Sequence, residues 1–231
     1  MIAVTFALAA ESSEFLRCLR DRSHADRNGI RTIRGKIDDR TIEVLHTGVG
    51  ENVCRQHMAK FLQDQHFDYL ISAGFAGALN DQLQVGDLLL AKNFSTVEPE
   101  NRSSLSGLPI YSADLLTVPA LINSREERNK LALTSGAVAV DMETEFIARA
   151  CATQGIPLLS LRVISDTPLE LFPAPPNVLF DIERQRTRMP KLAKYFLAHP
   201  NRVPQLIGFA IRIAHARKTL ANALIAAATP L

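Results

Sequence analysis

Apolar residues recur along the chain in two rhythms. Met1 to Leu8 is a nearly unbroken apolar run that predicts a strand buried on both faces, and Glu11-Ser12-Ser13-Glu14 then opens a helix carrying Phe15, Leu16 and Leu19. Ile30 to Asp38 and Thr41 to Leu45 predict a hairpin with Asp38-Asp39 at its turn. Asp68 to Leu79 is a further buried strand that ends through Gly74 and Gly77, and Val85-Gly86-Asp87 leads with Leu88 to Leu90 into another. Val138, Ala139 and Val140 form a short apolar run. From there Met142, Phe146, Ala150 and Cys151 fall at helical spacing until Gly155 and Pro157 stop the helix. The next run, Pro157 to Ile164, is β-rich and closes on the polar pair Ser165-Asp166. Strands alternating with helices predict an α/β chain with buried parallel strands.

Three acids stand where such strands meet helices. Glu11 follows the first strand, Glu143 lies in the first turn of a helix, and Asp166 lies just beyond a strand's carboxyl end. Open α/β sheets bind ligands outside those ends, so the three carboxylates can face one cleft. The plainer alternatives are carboxylates stabilising helix dipoles and a Ser-Asp helix cap. Gly48-Val49-Gly50 enters a helix and either brings backbone N–H groups to an anion or makes a tight turn; Val53 stands where a dinucleotide fingerprint needs its third glycine.

A length of 231 residues, 47% of them apolar, predicts a single sizeable unit, divided here into a core at 1–176 and a helical extension at 177–231 packed on it. The net charge is only +2, but all 24 acids lie at or before Glu183, and nine bases follow it. Past the stiff Phe172-Pro173-Ala174-Pro175-Pro176 stretch the chain is broken at Pro190, Pro200 and Pro204. From Val203 a basic amphipathic helix is predicted, with Leu206, Ile207, Ala210, Ala214, Ala221, Leu224 and Ile225 on its stripe and Arg212, His215 and Lys218 away from it. It suits an anionic membrane surface or a long apolar substrate, or simply covers a core or a second subunit. Few aromatic residues accompany those bases, so nucleic acid is not the expected partner. Glu98 to Leu116 is turn-rich and reads as a flap or an excursion. Cys18, Cys54 and Cys151 are scattered and odd in number, which fits a reducing compartment. The six histidines form no ligand-like cluster, so no metal is expected. With no secretion signal and no membrane-spanning run, a cytoplasmic or membrane-peripheral location is expected.

Val140-Asp141-Met142-Glu143 together with Arg162-Val163-Ile164-Ser165-Asp166 resembles the purine nucleoside phosphorylase and nucleosidase superfamily, which includes the methylthioadenosine/S-adenosylhomocysteine nucleosidases. Thr47-Gly48-Val49-Gly50, Gly74-Phe75-Ala76-Gly77 and Val85-Gly86-Asp87 are similar to further words of that family. The resemblance implies a three-layer fold, with a mostly parallel central mixed sheet flanked by helices and a basic helical C-terminal extension. It implies cleavage of the bond between a purine, adenine above all, and ribose. Asp166 would be the acid and Glu11 the base for water, with Glu143 holding the ribose hydroxyls and Met142 beneath the sugar; Arg162 either supports Asp166 or pairs with a surface acid. Gly48, Gly50, Gly74, Phe75, Ala76 and Ser165 would line the substrate. It further implies a homo-oligomer, dimer or hexamer, and no cofactor. The proline-broken basic tail resembles the hopanoid-associated branch, whose substrate is an adenosylated triterpenoid.

The chain departs from the family where phosphate-using members carry an Arg before the glycine loop and a hydroxyl within it; Ser72 and Phe75 stand there. That favours water over phosphate as the nucleophile. No base-stacking aromatic stands among Leu121, Ile122 and Asn123. The rivals are a phosphorylase of the same fold, with phosphate as co-substrate, and a nucleoside-binding or storage protein without turnover.

Overall fold

The computed structural model describes residues 1–97, 108–181, 185 and 189–228. In chain order its elements are β1 (Ile2–Phe6), α1 (Ala9–Cys18), β2 (Arg20–Arg27), β3 (Ile30–Ile37), β4 (Arg40–His46), α2 (Glu51–Leu62), β5 (Tyr69–Ala78), β6 (Leu88–Ala91), β7 (Ile110–Ala113), β8 (Leu115–Thr117), α3 (Arg125–Ser135), β9 (Ala139–Asp141), α4 (Thr144–Gln154), β10 (Leu158–Asp166), a short α5 (Pro176–Leu179), α6 (Met189–Ala198) and, after a 3₁₀ turn at Pro200–Arg202, α7 (Val203–Ala228). The strands form one mixed sheet in the order β2-β3-β4-β1-β5-β10-β6-β7, with β9 joined to β5 and β8 to β9. At its centre β4, β1, β5 and β10 run parallel, so their carboxyl ends open at one edge.

Alternation along these strands feeds two helical layers. Ile2 and Val4 of β1 face α1 and α7, where Phe15, Leu19, Leu220 and Leu224 complete a core. Ala3, between them, faces α2 and α4 with Met58, Phe61, Ile147 and Cys151. The result is the α/β arrangement that the strand and helix rhythm predicted, in the three layers that the resemblance implied.

Several boundaries differ from the pattern. β2 was not anticipated, because its residues are polar and mostly exposed and carry no in-out alternation. Met142 is not helical: α4 begins at Thr144, with Glu143 at its N-cap, and Met142 packs with Leu79, Val118 and Ile122. Ser165 and Asp166 are the last residues of β10 itself. Of the expected flap, 110–113 and 115–117 are strands; residues 98–107 lie outside the described residues. Ser124 caps α3 as expected, accepting from the Glu127 amide at 3.3 Å, and Gly155 ends α4 in the left-handed conformation.

α7 needs a correction. Its buried face is Ile213, Ala216, Leu220, Ala223, Leu224 and Ala227, whereas Ile207, Ala210 and Ala214 of the expected stripe are exposed. The helix is alanine-rich all round, so its apolar pattern offered two stripes, and packing against α1 and β10 selects one. Its last turns are sheet core, and the Tyr69 hydroxyl donates to the Ala227 carbonyl at 2.9 Å. Among the described residues no helix is long and apolar enough to cross a membrane. Leu224→Ala is expected to cost about 2–5 kcal/mol in urea unfolding. Ile211→Ala, on the exposed side, is expected to stay within about 0.5 kcal/mol of the parent.

Candidate active site

The carboxyl end of β5 carries two glycines, and an acid lies over each. Glu11, in the first turn of α1, accepts from the Leu8 amide at 3.0 Å and the Phe75 amide at 3.3 Å, and its carboxylate sits against Gly74. Asp166 sits against Gly77 so closely that a Cβ there would come within 2.8 Å of Oδ2. Only glycine fits that contact. The two glycines lie three strand steps apart, on the order of 10 Å.

Glu143 approaches from β9. Its Oε1 accepts from the Gly50 amide at 3.0 Å, and Gly50 holds φ at +89°, a conformation that favours glycine. Glu143 and Glu11 are both buried and near enough to repel one another. Burial raises the Glu11 carboxyl above its ordinary range, opposed by the Leu8 and Phe75 amides and by Arg162. Burial, and then repulsion from Asp141 and Glu11, push Glu143 up to about 8.

Asp141 has a cation of its own. Arg162 donates to Asp141 Oδ2 from Nε at 3.1 Å and from Nη2 at 3.0 Å, and also reaches the Ser72 carbonyl, the Ser72 hydroxyl and Thr144. The expectation that Arg162 supports Asp166 is therefore corrected. The two lie four strand steps apart, on the order of 13 Å.

The partner of Asp166 is Arg128 of α3, and both are almost fully buried. Arg128 Nη2 donates to Asp166 Oδ2 and to the Ile122 carbonyl, and Nη1 donates to the Ala78 carbonyl at 2.7 Å. The Ser165 hydroxyl donates to Asp166 Oδ1 at 2.5 Å, and its oxygen lies 3.3 Å from the Ala76 carbonyl. Burial raises the Asp166 carboxyl, while Arg128 and Ser165 pull it down.

A cavity of about 40 Å³ adjoins this pair, lined by Leu121, Ile122, Arg128, Met142, Asp166 and Phe172 among others. It is small beside the roughly 300 Å³ or more of typical ligand sites, so a purine entering here needs Arg128 or Phe172 to give way. A larger cavity, about 550 Å³, lies between α4 and the start of β10 and touches none of the three carboxylates. Of the two cavities, the smaller is the one that Asp166 lines. Arg128 and Phe172 were missed from the sequence, the first because Ser-Arg-Glu-Glu-Arg looks like a solvated helix start, the second because it sits among prolines. Phe172 supplies an aromatic wall that the stretch at 121–123 lacks.

The Gly48–Gly50 loop has its amides engaged within the chain. Gly48 donates to the Ala7 carbonyl at 3.1 Å, Val49 to Gln185 Oε1 at 2.6 Å and Gly50 to Glu143.

The sequence profile of the phosphorylase superfamily matches residues 1–117 and 100–198. The chain belongs to the phosphorylase superfamily. Among similar superfamily proteins, the 5'-methylthioadenosine/S-adenosylhomocysteine nucleosidase of Haemophilus ducreyi is 24% identical over 195 residues, 71% of this chain and 84% of that one. The DeoD-type purine nucleoside phosphorylase of Geobacillus stearothermophilus is 27% identical over 161 residues, 60% and 68% of the two chains. In fold, the Streptococcus pneumoniae 5'-methylthioadenosine/S-adenosylhomocysteine nucleosidase has a TM-score of 0.70 at 17% identity, covering 97% of this chain and 96% of that one. The futalosine hydrolase of Helicobacter pylori has a TM-score of 0.68 at 18% identity, covering 97% and 95%.

The raised carboxyl of Glu143 makes this superfamily member's stability depend on pH. An acid whose folded pKa is raised binds more protons folded than unfolded. Its contribution is full below the ordinary value of 4.5 and is lost as pH rises through about 8. Stability of the parent should therefore fall between about pH 5 and pH 8, by up to about 1 kcal/mol per pH unit. Thermal or urea unfolding of Glu143→Gln should show a clearly shallower fall; an equal slope would remove Glu143 as its source.

Proposed function

We propose that the chain cleaves the N-glycosidic bond of a purine nucleoside, with water as the nucleophile. The observation that carries this reading is a set of buried carboxyl groups at one edge of the sheet, Glu11 over Gly74 and Asp166 over Gly77 of β5, with Glu143 near Glu11 and an aromatic wall beside Asp166. The nucleosidases similar to this chain support it.

Bond cleavage leaves positive charge on the sugar, and the base must depart neutral. Asp166 gives a proton to the purine ring nitrogen as the C1'–N bond breaks, and Ser165 orients its carboxyl. Glu11 takes a proton from water as the water oxygen bonds to C1'. Glu143 has a carboxyl that holds a proton near neutrality, so it can both accept from and donate to a pair of ribose hydroxyls. Met142 lies in the wall between sugar and base, while Phe75, Gly74 and Ala76 form the strand edge over which the nucleoside lies. Entry of the base displaces Arg128, and loss of that cation raises the proton affinity of Asp166 when an acid is needed.

Water is preferred to phosphate on electrostatic grounds. The loop amides at 48–50 are engaged, the Ser72 hydroxyl is held by Arg162, and two carboxyl groups face the space a phosphate would need. An adenine nucleoside with an open choice of 5' substituent is the expected substrate.

The test is adenine release from methylthioadenosine, adenosine and an apolar 5'-adenosyl conjugate, each with and without phosphate. Release independent of phosphate is expected; strict dependence on phosphate would make the chain a phosphorylase, and no release from any nucleoside would make it a binding protein. Asp166→Asn should lower kcat by about 10²–10⁴. Arg128→Met should move the alkaline limb of the rate profile to higher pH, because removing the cation keeps Asp166 protonated longer; an unmoved limb would separate Arg128 from the acid.

A further inference from the structure

The first half of α7 turns an apolar stripe to solvent. Val203, Ile207 and Ile211 follow at four-residue spacing and are 36%, 56% and 66% exposed. On α6, Leu197 is 83% exposed and Met189 64%, while Leu192 and Phe196 pack inward against Leu206. Exposed Lys194, Arg202 and Lys218 accompany these aliphatic side chains, and no acid follows Glu183 in the sequence. Isolated exposed aliphatics need no explanation, but a row along the first part of a helix, surrounded by exposed bases and with one acid, Glu170, held 3.6 Å from Arg212, marks an interaction surface.

The charge selects the occupant. A second copy of this chain docked about a two-fold axis would set basic face against basic face. A nucleic acid would use the bases but leave the aliphatic row without a partner. An anionic bilayer answers both features, with aliphatic side chains entering the headgroup–acyl boundary and the ammonium and guanidinium groups meeting lipid phosphates. We propose that the outer face of α6 and α7 docks the protein on the surface of an anionic phospholipid membrane. Docking there leaves the catalytic cavity clear. Phe209 lies about 200° around α7 from both Ile207 and Ile211, and it packs edge-on at 5.8 Å against Phe172, a wall of the Asp166 cavity.

The test is flotation of the full chain with vesicles of phosphatidylcholine alone and with phosphatidylglycerol added. Binding to the anionic vesicles is expected to be at least roughly tenfold stronger and to weaken as salt is raised. The double variant Ile207→Asp/Ile211→Asp should lose about tenfold or more of that binding, with a thermal unfolding midpoint close to the parent's showing that it folds. Lys194→Glu/Lys218→Glu should lose the preference for anionic lipid. Equal binding to both vesicle types, no binding to either, or undiminished binding by the Asp variant would overturn the proposal. So would a parent dimer, seen by light scattering, that the Asp variant splits while neither protein floats with lipid, since the face would then be a subunit interface.

Discussion

Four buried carboxyl groups, Glu11, Asp141, Glu143 and Asp166, crowd one edge of the sheet against two buried guanidiniums, Arg128 and Arg162. Everything about this edge follows from that imbalance. Asp141 and Asp166 each take one arginine, and removing a partner from such a pair leaves a buried charge that costs about 3–5 kcal/mol. Among the described residues Glu11 and Glu143 have no side-chain cation bonded to them and rest on the backbone amides of Leu8, Phe75 and Gly50. Amides temper a desolvated carboxylate without neutralising it, so both groups keep raised proton affinities. A raised carboxyl such as that of Glu143, pushed up to about 8, suits acid–base chemistry, and a fold gives up stability to keep it there.

Backbone geometry brings these groups together. β5 lies between β1 and β10 in parallel register, so the turn after β1 delivers Glu11, and the end of β10 delivers Asp166, to the same strand edge. Small residues on that edge, Gly74, Ala76 and Gly77, keep it low enough for side chains to lie across it. β9 joins the same end of β5 and brings Asp141 and Glu143 with it. A bulge between Ile164 and Asp166 shifts the last residues of β10 against Gly77. Three strands thus supply the four acids: β1 through the turn into α1, β9 at and just beyond its end, and β10 at its last residue.

That origin explains what the sequence could tell. Glu11, Glu143 and Asp166 were legible because each ends an apolar run, and buried parallel strands end where ligands bind. Arg128 was not, since a helix reading Ser-Arg-Glu-Glu-Arg shows charges all round, and only the rotation of α3 against the sheet turns one arginine inward. Arg162 was recognised as part of the site but given the wrong acid, because strand spacing along β10 does not reveal that Asp141 arrives from β9. In α7, alanine covers both sides, so hydrophobic pattern left the buried face undetermined until α1 and β10 packed on it. Strand ends carry their meaning in one dimension; helix facing and cross-chain pairing do not.

The same charge balance bears on the choice of nucleophile. A phosphate dianion beside an ionised carboxylate is disfavoured by several kcal/mol even at an effective dielectric near 20, about 4 kcal/mol per unit charge at 4 Å. A site that uses phosphate therefore needs uncommitted cations. Arg162 has its donors engaged by Asp141, Ser72, Leu161 and Thr144, and Arg128 is bonded to Asp166, Ile122 and Ala78. Bringing Arg162 to a phosphate would strand the buried Asp141, so an anion at the Glu11 end would gain that ion pair only by breaking another. Water makes no such demand, and an acid that has lost its proton to the leaving base can recover it through solvent once the product departs.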